Sequence, residues 1–366
     1  MMYGSSRQRL VIDTRVIAKD LIKDPSFLAY KFNFDSECVA FLPIERDEIR
    51  QVTCLKLDYI DSNRKFIEVP LAEVIGQLDS EYEAVANNPP RFIFRTAFCA
   101  STFLSRCLDV EGISTSLREP QLLLDAANAK RLQWHSRSTK LDYQHLPRIA
   151  LALLQKHAVL SEKLIIKPIN SVNNIIPELL KITAPSKSLI LYTDARNFIL
   201  STLKKGEGGK QTIRSMFDLI RCDFPHLSNL QLTHTIHMTD LRVIMTLWRL
   251  QIEQAEETLQ QFLPEKRMAS LYGENLIRSA LGPLQAINQY LELGISFEQI
   301  SAIVNSENRL IDAKNMDEKF SVQNRKSLYE RLESFYGDDL DDGLQWLARN
   351  NPGTKLVPDL SAALHL

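Results

Sequence analysis

The sequence predicts an α/β protein of three layers (α/β/α). Its parallel central sheet follows a small mixed segment and precedes a helical region. Three observations carry this prediction. Residues 91–108 read as a short apolar strand, a tight turn of small residues, and an amphipathic helix opened by Ser101 and Thr102. From residue 91 onward, short apolar runs alternate with helical patterns, as expected of strands buried on both faces. Asn87-Asn88-Pro89-Pro90 breaks structure just before that alternation begins, which divides the chain into an α+β segment, 1–88, and the main domain, 89–366.

The elements follow in order. Residues 16–23 have helical spacing and stop at Asp24-Pro25, and residues 30–34 and 37–43 alternate as a strand pair around Asp35-Ser36. Residues 70–85 carry Leu71, Val74, Ile75 and Leu78 at helical spacing. Strands are expected at 92–94, 114–117, 164–166, 189–192 and 267–271, and helices at 102–110, 121–127, 146–158, 173–181 and 197–204. Beyond Gly206 the chain reads as helical, at 239–262 with Trp248 on the apolar stripe, then at 283–293, 322–335 and 340–349. Ligands of parallel sheets sit at the carboxyl ends of the strands. The turn at 96–101 lies at such an end.

Composition narrows the function. The 366 residues carry 44 Lys and Arg against 45 Asp and Glu, interspersed, with no basic tail or stripe of the kind that tracks a nucleic acid. The first nine residues lack the apolar run of a signal peptide, and no apolar stretch reaches bilayer length. Five cysteines (Cys38, Cys54, Cys99, Cys107, Cys222) show no CxxC spacing, which fits reduced thiols in a cytoplasmic protein.

A strand–turn–helix exposes backbone N–H groups at a helix start, and such a turn binds anions, phosphate above all. Ala97, Cys99, Ala100 and Ser101 are small enough for close backbone approach. A Walker A loop needs two glycines and a lysine. This turn has none of them, which disfavours ATP chemistry. Cys99 sits where a helix dipole lowers a thiol pKa, but a phosphatase loop needs arginine six positions later, where Ser105 stands. Cys99 therefore reads as a packing residue.

The string Thr96-Ala97-Phe98-Cys99-Ala100-Ser101-Thr102-Phe103-Leu104 resembles the first loop and helix of the sulfotransferases, commonly P-[RK]-S-G-T-T-x-L. Leu191-Tyr192-Thr193-Asp194-Ala195-Arg196-Asn197-Phe198-Ile199-Leu200-Ser201 is similar to that family's second signature, R-D-P-R-D-x-x-x-S. Met268-Ala269-Ser270-Leu271-Tyr272-Gly273-Glu274-Asn275-Leu276 is similar to its strand ending in Y-E-D-L. The resemblance also extends to a group of uncharacterised bacterial proteins. It implies a P-loop α/β fold, PAPS (phosphoadenosine phosphosulfate) as cofactor without a metal, and a small-molecule or glycan acceptor. It implies cofactor contacts at Ala97, Phe98, Cys99, Ala100, Ser101 and Thr102, with Arg196 and Ser201 at the 3′-phosphate. The chain departs from the pattern at Phe98, Ala100 and Thr193, where the family has a cation, a glycine and an arginine.

Sulfuryl transfer needs a base for the acceptor and positive charge for the departing phosphate. Glu119, closing the second strand, is the candidate base; otherwise it pairs with Arg118 or caps the next helix. Lys167, closing the third strand, either replaces the cation missing at position 98 or snorkels to solvent. Asn170 and Asn173 either meet the acceptor or form turns. Lys204-Lys205-Gly206-Glu207-Gly208-Gly209-Lys210 reads as a mobile basic lid or a hinge. His234 and His237 share a helical face without a third metal ligand, and the stretch around Trp134 and His135 reads as an acceptor loop. The leading expectation is a sulfuryl transferase. The alternatives are a nucleotide- or phosphate-binding protein without transfer activity, and an ATP-dependent phosphotransferase.

Overall fold

A computed structural model describes residues 14–60, 64–159, 162–228, 238–306 and 322–366. His234 and His237 lie outside the described residues.

Five strands form the main sheet: β4 (Arg91–Arg95), β5 (Ser114–Arg118), β6 (Lys163–Lys167), β7 (Ser188–Tyr192) and β8 (Met268–Tyr272). They pair in parallel in the order β5-β6-β4-β7-β8. β1 (Phe27–Asn33), β2 (Cys38–Pro43) and β3 (Ile67–Pro70) make a separate antiparallel sheet ahead of it.

The layering follows from strand alternation. Phe92, Phe94, Leu164, Ile166 and Ile190 point into one core, and Ile93, Ile165, Leu189 and Leu191 into the other. The first core is closed by α6 (Gln121–Leu132), α7 (Leu146–Gln155), α8 (Ile176–Ile182), α9 (Ala195–Leu203) and the long helix Asp240–Phe262. The second is closed by α5 (Ser101–Cys107) and the helices Gly273–Arg278, Leu281–Leu291 and Phe297–Asn305. Each fully buried Leu, Ile or Phe contributes about 1.5–3 kcal/mol. Leu28 and Phe41 of the small sheet belong to the same core as Phe92 and Phe94.

The five expected strands are present, each within a residue or two of its expected limits. β3 was not expected. Its alternation is only four residues long, and the helical spacing read over 70–85 resolves into α3 (Leu71–Ile75) and α4 (Asp79–Asn87), parted at Gly76. The expected helix at 173–181 begins instead as a 3-10 turn, Asn170–Ile175. The two helices expected at 322–335 and 340–349 are present within Val322–Asn350, where Tyr336 leaves helical backbone (φ -118°, ψ 15°) and parts them. The tail pairs along the outer edge of β8, where Ser270 N–H donates to Ala362 and Leu364 N–H donates to Ser270, so that edge does not stay open.

Chain order reverses across β4. The connection from β4 runs to β5 at the sheet edge and returns through β6, whereas β7 and β8 lie on the other side. Such a switch opens a crevice at the carboxyl end of the first strand, where the 96–101 turn sits. No helix among the described residues is long and apolar enough to cross a membrane.

Candidate functional site

The turn after β4 is held from three sides. Thr96 N–H donates to Leu191 (2.8 Å), and Ala97 N–H donates to Gln251 Oε1 (2.8 Å), which also accepts from Asn170 Nδ2 (2.8 Å). Phe98 and Ala100 both take left-handed backbone, φ 60° and 62°. The glycine expected by resemblance at position 100 is thus replaced by an alanine that keeps its conformation, at some strain. Ala100 begins α5 and gives it no side-chain cap, and the Ser101 N–H and hydroxyl lie against the Cys99 sulfur. Gly273 lies directly against this turn: a Cβ there would stand 2.3 Å from the Cys99 carbonyl oxygen. Cys99 is buried and donates to the Thr96 carbonyl (3.1 Å). Burial pushes its thiol up, as suits a packing residue.

On the β5 side, Glu119 also has left-handed backbone, φ 57°. Its N–H donates to the Lys167 carbonyl (2.7 Å), and its carboxylate meets Lys167 Nζ (2.7 Å), Arg95 Nη2 (2.8 Å) and Lys56 Nζ (3.1 Å). Burial would raise this carboxyl, but the three cations outweigh it and hold the group well below the usual carboxylate range. Lys167 has no exposed surface. Burial, with Arg95 nearby, brings its ammonium down to about 8 against the pull of Glu119. Lys167 therefore neither snorkels nor faces the crevice; it sits behind Glu119. Asn173 Nδ2 donates to the Arg95 carbonyl (3.1 Å), fixing the end of β4.

On the β7 side, Asp194 caps α9 by accepting from Asn197 N–H (2.8 Å), and Tyr272 donates to the same carboxylate. Ser201 faces the crevice with its hydroxyl 2.7 Å from that of Tyr329. The expected basic lid is the corner between α9 and α10 (Gly206–Ile220). Gly209 lets the two helices meet, since a Cβ there would lie 2.4 Å from the Thr202 carbonyl oxygen. Lys205, at that corner, holds its ammonium 4.4 Å from the Phe98 ring centroid. Arg325 grips Glu274 through two bonds of 2.7 and 2.8 Å.

These groups share one cavity of about 800 Å³, within the usual range for ligand sites. Among the described residues, eight arginines and lysines and two carboxylates, Asp109 and Glu119, line it; of the eight, Arg50 and Arg118 bond Asp109 and Arg325 bonds Glu274. All six turn residues from Ala97 to Thr102 line it, as do Glu119, Asn170 and Ser201. Arg196 does not. It points outward to Glu333 (2.7 Å) and Asp341 (3.4 Å), because the position on α9 that looks inward belongs to Ser201. Thr193 is buried, with its carbonyl taken by Trp248 Nε1 (2.9 Å). The expected acceptor loop packs on the small sheet instead, with Trp134 against Phe34 and the Glu37 carboxylate bonding Ser136 and Ser138.

No protein-family model and no curated protein sequence matches the chain. Among solved structures it is similar to the sulfotransferase STF9 from Mycobacterium avium, at 12% identity over 72% of this chain and 81% of that chain, with a TM-score of 0.39. A likeness of that grade decides neither fold nor activity.

Sequence reasoning missed Lys56, Arg95 and Arg325. Arg95 carried a usable signal, a charge closing an apolar strand just before the turn, the same signal that singled out Lys167. Lys56 and Arg325 carried none, because only tertiary structure brings them to the crevice.

Proposed function

We propose that this protein is a sulfuryl transferase that takes PAPS as donor and passes its sulfuryl group to a hydroxyl or amine. The carrying observation is the excess of cations around the turn at the sheet's switch point, in a chain whose net charge is only -1. Such a basin attracts a polyanion. The three sequence echoes of the family also meet physically: Tyr272 bonds Asp194, and Gly273 packs on Cys99.

The residues present fit the donor. The left-handed turn at Phe98 and Ala100 lines the cavity and leaves α5 without a side-chain cap, beside Ser101 and Thr102. These would hold the phosphosulfate, with Ser201 at the 3′-phosphate in the company of Lys204. When bound, PAPS supplies the sulfuryl group and a phosphate leaving group. Lys205, held over the Phe98 ring, takes the charge-neutralising part that the family gives to a cation at position 98. Glu119 stands nearest the acceptor side and is the base. Its three cations keep it a weak proton acceptor until some of them are drawn away.

Calorimetry tests this reading. Adenosine 3′,5′-bisphosphate should bind without added metal, and more tightly than ATP with magnesium. Magnesium-dependent ATP binding in preference to the bisphosphate would favour a phosphotransferase instead. Absence of binding by either would remove the donor assignment.

A further inference from the structure

We infer that the β5 side of the cavity binds an oxyanion carried by the acceptor, between Lys56 and Arg95, and that residues 46–60 build that wall. Assigning the anion to the acceptor rests on the reading that places the donor on the β7 side; the existence of the site does not.

Charge imbalance is the first support. Among the described residues, one carboxylate, Glu119, faces three cations within 3.1 Å. The side chains of Glu119, Arg95 and Lys167 are 10%, 13% and 0% exposed, so water reaches the surplus charge chiefly at Lys56, which is 33% exposed. The second support is a missing partner: Arg95 lines the cavity, yet its Nε is buried without a hydrogen bond. That Nε has no surface open to the cavity, so a ligand would meet the Nη edge of the guanidinium, a planar fork that suits a carboxylate, phosphate or sulfate.

The third support is how firmly Lys56 is delivered. Arg118 is fully buried at the end of β5 and donates through Nη2 to Ile49 (2.7 Å) and Arg50 (2.6 Å) and through Nε to Val52 (3.1 Å). It thereby caps the carbonyl end of α2 (Arg46–Gln51). Leu55 N–H donates to the Arg118 carbonyl (2.7 Å), and Arg106 Nη2 donates to Thr53 (3.0 Å). The first ninety residues thus reach the crevice through a clamped strip, and that strip sets Arg50 and Lys56 in its wall. An acceptor oxyanion that engages Lys56 and Arg95 leaves Glu119 with Lys167 alone. The base then gains proton affinity only when the acceptor is in place.

Phosphorus NMR titration with inorganic phosphate tests the site, with the donor position saturated by adenosine 3′,5′-bisphosphate. Wild type should bind one further phosphate. Lys56→Ala should bind it about tenfold more weakly, as when one of two close charge partners is removed; Lys56→Arg should restore it, and bisphosphate affinity should be the same in all three. A wild type without the further site, or Lys56→Ala with undiminished affinity, overturns the inference. Thermal melting confirms that the variants are folded. If the bisphosphate does not bind, the donor reading fails separately, and the same titration on ligand-free protein still decides the Lys56-dependent site.

Discussion

Lys167 donates to Glu119 at 2.7 Å from inside the sheet, with no surface of its own exposed. The two residues close neighbouring strands, β5 and β6, whose register pairs Arg118 with Lys167. The left-handed turn at Glu119 folds its carboxylate back over that pair. The cluster ties the β5 side of the crevice to the end of the sheet, and so ties stability to the site.

Glu119→Gln should therefore destabilise the protein by about 3–5 kcal/mol, the usual penalty for leaving buried charges without their counter-ion. The folded-state carboxyl lies below its unfolded value, so its contribution is complete above the unfolded pKa of about 4.3 and is lost as pH falls through the folded one. Urea midpoints should differ widely between wild type and variant at pH 7 and converge below about pH 4. A difference that holds constant down to pH 3 would show that Glu119 titrates normally.

Lys205 holds its ammonium 4.4 Å from the Phe98 ring centroid, at the turn. Lys205→Ala should weaken bisphosphate binding about tenfold while changing the melting temperature little, since an exposed cation–π contact contributes about 0.5–1 kcal/mol. Calorimetry and a thermal melt on one sample read both. Undiminished affinity would take Lys205 out of the donor site.

Gly273 touches the backbone of the turn and no side chain that could yield. Gly273→Ala forces the Cys99 carbonyl away and should cost about 1–3 kcal/mol by overpacking. Bisphosphate affinity should fall with it. Loss of stability with full affinity would mean that the turn adapts and that its shape is not what binds the anion.

Ser201 and Arg196 separate what the family resemblance implied from what the structure brings together. Ser201→Ala should lower bisphosphate affinity several-fold by removing one hydroxyl donor. Arg196→Ala should leave it unchanged, because that guanidinium serves exposed pairs with Glu333 and Asp341, worth a few tenths of a kcal/mol. The opposite ranking in a titration would restore Arg196 to the site.

The sheet was legible because its strands are buried on both faces, which makes them continuous apolar runs such as Phe92-Ile93-Phe94 and Leu164-Ile165-Ile166. The turn was legible because small residues and hydroxyls between strand and helix have few other uses. α10 was not, because three glycines near Lys205 read as a loop, whereas at Gly209 a glycine is what lets two helices meet. The direction of Arg196 depended on its partners in the helix Val322–Asn350, and the delivery of Lys56 depended on Arg118 reaching the end of α2. Contacts between segments so distant in sequence leave no periodic trace.

A crystal structure with adenosine 3′,5′-bisphosphate tests the central claim most directly. The account predicts one phosphate within hydrogen-bond distance of the N–H groups between Phe98 and Thr102 and the other beside Ser201. A nucleotide seated elsewhere, with the turn after β4 contacting no phosphate, would contradict it.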